Sequence, residues 1–162
     1  MTFDVHAVRA QFPILSRQVH GKPLVYLDSG ASAQKPLAVM EAMTRLMSES
    51  YANVHRGLHT LANETTDAYE AARESVRRFI NARSVSEVVF TKGATEAINL
   101  VAAGLGADIQ PGDEIIVTEM EHHSNIVPWH FLRERQGAVL RFVPVTDDCR
   151  LDMDAYRAML GP

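Results

Sequence analysis

A chain of 162 residues, 46% hydrophobic and 22% charged, is long enough for one domain with a sizeable core and too rich in apolar residues for intrinsic disorder. Its formal net charge of −4 opposes nucleic-acid binding, which needs a basic face for phosphates. No apolar run reaches bilayer length, the single Cys149 excludes an internal disulfide, and an acid at Asp4 stands where a signal peptide needs basic residues, so the chain reads as cytoplasmic.

In chain order, the pattern predicts a short helix over 4–11, broken by Pro13, and a short strand over Leu24-Val25-Tyr26-Leu27. A loop of small residues, Asp28 to Lys35, leaves room for something else. Pro36 suits a helix start, and Val39, Met43 and Leu46 mark one face of a helix that runs out near Tyr51. A polar turn over 53–59 precedes a second amphipathic helix over 62–80. From Glu87 the texture alternates: strand 87–91, helix 95–103, strand 114–118, helix 125–136, strand 139–145 and helix 153–160. Gly104 and Gly106 read as the helix stop, with Pro111-Gly112-Asp113 as the following turn. Pro128 is tolerated only in a first helical turn, which places that helix start at Ser124 or Asn125. The whole predicts an α/β fold with a mostly parallel sheet.

Two strand-to-helix junctions carry the chemistry. At Lys92-Gly93-Ala94-Thr95-Glu96, free amides at a helix start suit a phosphate, a preference of about 0.3–1 kcal/mol from the dipole alone. The alternative there is a helix cap with no ligand. Neither a Walker loop nor a dinucleotide fingerprint is present. At Glu121-His122-His123-Ser124, titratable aromatic rings follow a strand, either as hydrogen-bonded structural residues or as catalytic ones. The pair of junctions suggests a phosphorylated aromatic cofactor more strongly than a nucleotide. A zinc site is weakly supported: His55 and His59 are four apart, but the stretch lacks the metalloprotease acid, holds a glycine and adjoins the cation Arg56. Arg56 reads as a binder of carboxylate or phosphate, or as a solvated charge. Cys149 reads as a turn residue.

Four stretches, 26–36, 53–61, 91–100 and 120–129, resemble the N-terminal part of a Suf-type (group II) cysteine desulfurase, a class V aminotransferase with the fold-type-I architecture of pyridoxal-phosphate enzymes. The resemblance implies an N-terminal segment over 1–60 with substrate and dimer-interface loops, and the first part of a large domain over 61–162 that binds pyridoxal 5'-phosphate. It implies that Ala94 and Thr95 bind the cofactor phosphate, and that His123 stacks on the pyridine ring and moves a proton. Gly30 and Ala31 would line the substrate space, His55 and Arg56 would approach the site near the dimer interface, and Glu96 would face the partner subunit. No metal is implied. The implied reaction takes L-cysteine to L-alanine and passes sulfur through an enzyme cysteine to an acceptor protein of iron-sulfur assembly, in a homodimer that binds neither nucleic acid nor membrane.

The resemblance has departures. Gly30 stands where alanine is usual, which enlarges the pocket, and Cys149 stands in a turn where glycine is usual. In the family, the lysine that attaches the cofactor, the acid paired with the pyridine nitrogen, the arginine for the substrate carboxylate and the sulfur-accepting cysteine lie past the position of Pro162. Lys22, Lys35 and Lys92 are the only lysines here, and none matches the attachment position. Family topology also puts later strands between those at 87–91 and 114–118. The expectation is therefore that the chain alone has no desulfurase activity, binds the cofactor poorly and exposes apolar faces. A selenocysteine lyase and a non-catalytic phosphate-binding α/β module are the competing readings.

Overall fold

A computed structural model describes residues 3–161. The chain divides into two compact units, Met1–Val88 and Val89–Pro162.

In the first unit, helix α1 (Val5–Ala10) starts where the sequence predicts, because the Asp4 carboxylate accepts the His6 and Ala7 amides at 3.0 and 3.1 Å. A small antiparallel hairpin follows, β1 (Gln18–Val19) and β2 (Lys22–Pro23). Its turn residues His20 and Gly21 both have positive φ, 52° and 72°, as the tight hairpin turn requires. The strand expected over 24–27 is not formed. Val25 and Leu27 are 74% and 91% exposed and find no partner strand among the described residues, and β propensity alone makes no ladder.

Helix α2 (Leu37–Glu49) begins directly after Pro36, and its first amide donates to the Gln11 carbonyl at 2.8 Å, tying it to the end of α1. Helix α3 (Thr60–Phe79) is capped by His59, whose Nδ1 accepts the Ala62 amide. Buried Thr65 donates toward the carbonyls of Ser50 and Leu61, which fastens the end of α2 to α3. At the far end of α3 the Arg77 fork holds the Glu74 carboxylate at 2.7 and 2.8 Å and caps the Ala82 carbonyl at 2.7 Å. That hydrogen bond to Arg77 holds the Glu74 carboxyl below the usual glutamate range.

The strand expected over 87–91 is also absent. Val85–Glu87 is a single 3₁₀ turn, and 88–91 joins no ladder. Among the described residues of the second unit, the strands are β3 (Glu114–Thr118) and β4 (Val139–Val143), paired in parallel from Glu114 opposite Val139 to Thr118 opposite Val143.

Helix α4 (Ala94–Gly106) runs past the predicted 103 through Gly104 and ends at Gly106, the second of the two glycines read as its stop. Packing also favours glycine at that end. A Cβ on Gly106 would sit 2.7 Å from Leu132 Cδ2, so this glycine allows close approach to helix α5 (Val127–Gln136). Buried Ala102, Leu132 and Ala138 form the core there, with Ile109, Ile115 and Trp129 packed against them.

Helix α5 starts later than predicted. A 3₁₀ turn, His123–Asn125, precedes it and Pro128 occupies its first turn. It ends on Gly137, whose φ of 77° lets its amide reach the Arg133 carbonyl at 3.0 Å. Helix α6 (Met153–Met159) is capped by the Asp152 carboxylate.

Between β4 and α6, Val145 and Leu151 form an isolated bridge around a turn in which Cys149 has φ 60°. Left-handed backbone costs a non-glycine residue about 1–2 kcal/mol, offset in part by the larger freedom glycine has when unfolded. Cys149→Gly is expected to raise stability by about 0.5–1 kcal/mol, seen as a higher urea midpoint at unchanged slope. A lower midpoint would count against strain at this turn.

Candidate functional site

The start of α4 is built to leave donors free. Gly93 occupies the cap position, has no side chain and supplies no cap. Glu96 reaches back to accept the Lys92 amide at 2.6 Å, and Thr91 Oγ1 donates to the Gly93 carbonyl at 3.1 Å. The amides of Ala94, Thr95 and Glu96 meet no acceptor among the described residues. With the exposed Thr95 hydroxyl beside them, they present the free donors of a helix start, a setting that favours an anion.

The turn carrying His123 packs on this same helix and on α5. His122 and His123 lie with ring centroids 4.1 Å apart, tilted by 36°. The His122 Nδ1 accepts the Ser124 amide at 3.2 Å and lies 2.9 Å from the Ser124 hydroxyl, so this imidazole is engaged in shaping the turn. His123 differs: it is exposed, and neither ring nitrogen has a hydrogen-bond partner among the described residues. It is the ring free for chemistry.

Beneath the turn runs a chain of polar contacts that the sequence reading did not single out. Thr118 Oγ1 donates to Glu121 Oε1 at 3.0 Å, Asn125 Nδ2 donates to Glu121 Oε2 at 2.9 Å, and Trp129 Nε1 donates to Asn125 Oδ1 at 3.0 Å. The signal was available in the i, i+4 spacing of Glu121, Asn125 and Trp129.

The other expected site residues lie in the first unit. His55 adopts φ 60°; its amide donates to Thr66 Oγ1 at 3.0 Å and its Nε2 sits 3.0 Å from Glu70 Oε1. Glu70 in turn pairs with Arg73 Nε at 3.1 Å, so α3 holds the polar turn in place. His59 serves as the helix cap, its Nδ1 accepting the Ala62 amide, while His55 Nε2 is engaged by Glu70. Arg56 is exposed and has no hydrogen bond or ion pair among the described residues. Gly30 and Ala31 form a turn closed by the Ala31 amide on the Asp28 carbonyl at 3.2 Å and by the Tyr26 hydroxyl on Ser32 O at 2.5 Å. A Cβ at Gly30 would meet open space.

The aminotransferase class-V family profile matches residues 25–162. The chain belongs to the class-V aminotransferases. Within that family it is 54% identical over 161 residues to a cysteine desulfurase of Pectobacterium carotovorum subsp. carotovorum (strain PC1), covering 99% of this chain and 40% of that protein. The apo structure of the cysteine desulfurase from Thermococcus onnurineus NA1 superposes with a TM-score of 0.87 at 36% identity, over 98% of this chain and 38% of that one. The structure of C-DES, in a mutant with glycine covalently linked to the PLP cofactor, superposes with a TM-score of 0.74 at 25% identity, over 95% of this chain and 38% of that one. This class-V aminotransferase chain therefore has the fold-type-I architecture that the resemblance implied, with part of the large domain and an N-terminal helical segment, and it spans about 40% of the relatives it matches.

Proposed function

We propose that this chain is the N-terminal part of a Suf-type cysteine desulfurase that uses pyridoxal 5'-phosphate to convert L-cysteine to L-alanine. The observation that carries the reading is the set of unbonded amides at Ala94 and Thr95 on the helix that touches the His123 turn. These residues fit the cofactor: the amides and the Thr95 hydroxyl suit its phosphate, and the exposed His123 ring suits its flat face. When bound, the cofactor supplies an electron sink.

The chain's own residues would do the rest. Ala94 and Thr95 hold the phosphate and so set the ring's position. His123 would lie against the ring and exchange a proton at an imidazole nitrogen, since an imidazole can both donate and accept one. By the same reading Gly30 and Ala31 line the substrate space, His55 and Arg56 approach near a dimer interface, and Glu96 faces the partner subunit. Sulfur passes to a cysteine other than Cys149, then to an acceptor protein of iron-sulfur assembly in the cytoplasm. Among the described residues, no helix is long and apolar enough to cross a membrane.

The test is to supply the full gene product with pyridoxal phosphate, L-cysteine and dithiothreitol, whose thiols reduce the enzyme persulfide to release sulfide, following the bound cofactor's absorbance and the release of alanine and sulfide. A bound-cofactor band with alanine and sulfide formed one for one is expected. Absence of both the band and alanine would overturn the reading. The 162-residue chain alone is expected to give no turnover, since none of its lysines matches the attachment position; sustained turnover by it would refute that assignment.

A further inference from the structure

We infer that Glu121 and Asn125 are positioning residues for His123, and the inference rests on the proton-transfer role proposed for that ring. The His123 side chain makes no hydrogen bond of its own among the described residues. Its aim is set by the backbone of the turn it sits in, and the turn is held by what lies on either side of it.

On one side stands Thr118, the last residue of β3, opposite Val143 in the parallel ladder. On the other stands Trp129 in α5, packed against Ala102, Leu132 and Ala138. Both anchors are held by packing or pairing beyond the turn, Thr118 in the ladder and Trp129 against the core. Glu121 and Asn125 bridge them: the Glu121 carboxylate takes the Thr118 hydroxyl on one oxygen and the Asn125 amide on the other, and the Asn125 carbonyl takes the Trp129 indole N–H. All four side chains are partly buried, which strengthens these bonds relative to solvent-exposed ones. The segment that carries His122 and His123 is thus clamped between strand end and helix, as outer partners orient the reacting groups of a site.

The chemistry at Asn125 is directional. It donates toward a carboxylate and accepts from an indole, so an amide is required. Aspartate in its place would lose the donor and set a second carboxylate against Glu121. Glutamine in place of Glu121 keeps the clamp, since its carbonyl can accept from Asn125 while its amide donates to the Thr118 hydroxyl.

The experiment uses the full gene product carrying Asn125→Asp, Asn125→Ala, Trp129→Phe or Glu121→Gln, with two readouts. The first is the split of kcat from KM for L-cysteine. The second, in cofactor-free protein, is the proton NMR position and titration of the His123 ring, assigned with His123→Asn. Asn125→Asp and Asn125→Ala are expected to lower kcat by roughly 10–100-fold, the scale of lost outer-shell partners, with KM little changed and the His123 resonance displaced. Trp129→Phe, which keeps the apolar ring and drops only the N–H, is expected to move the resonance in the same direction. Glu121→Gln is expected to retain both wild-type position and rate. An unmoved His123 resonance in Asn125→Asp and Trp129→Phe, both still folded by circular dichroism, would overturn the inference, as would a Glu121→Gln protein as impaired as Asn125→Ala. If L-cysteine is not turned over at all while the resonance still moves, the functional reading fails and the clamp stands.

Discussion

His123→Ala in the full gene product is expected to lower kcat for L-cysteine by roughly 10²–10⁴-fold, the range for loss of a positioned proton-transfer group. His123 is the imidazole of the turn whose nitrogens are unengaged, whereas the His122 Nδ1 is used on Ser124. Its loss should therefore fall on the chemical step. Retention of the cofactor is expected to be largely preserved, because the free amides of Ala94 and Thr95, proposed to hold its phosphate, are untouched. The check is steady-state alanine release beside the amount of cofactor retained after desalting. A rate within threefold of wild type would remove His123 from the mechanism.

Gly57→Ala is expected to destabilise the first unit by about 3 kcal/mol, at the upper end of what overpacking a close contact costs. A methyl at this position would lie inside the van der Waals envelope of the Ala62 Cβ and 3.2 Å from His59 Nε2. Neither neighbour can yield cheaply. Ala62 is buried at 1% exposure in the first turn of α3, and His59 is committed as that helix's cap. Because a kcal/mol shifts the midpoint of a domain of 60–100 residues by roughly 4–8 °C, the melting temperature should fall by more than about 10 °C. Thermal unfolding by circular dichroism reads this directly; a shift under about 2 °C would show that the turn relaxes instead.

Local signals were readable where local chemistry decides the outcome. Pro36 as a helix start and the limits of β3 followed from residue type and spacing. What sequence reasoning missed depends on partners distant along the chain. Leu24 to Leu27 and Val88 to Thr91 have strand-like side chains, yet a strand exists only when another pairs with it. Gly106 ends α4, as its residue type suggested, but its contact with Leu132 is one that only the folded packing brings about. In the candidate site, the residue types at Ala94, Thr95 and His123 were suggestive from the outset. The polar chain from Thr118 to Trp129 was not noticed, because each bond in it depends on the turn closing.

The chain contains one tryptophan, and that indole is the one bonded to Asn125 under the His123 turn. Indole emission from this chain, excited beyond the tyrosine absorption, therefore has a single source at the base of the candidate site. Any ligand that settles on the turn or absorbs in the near ultraviolet will report its arrival there as quenching or a colour shift, with no label attached.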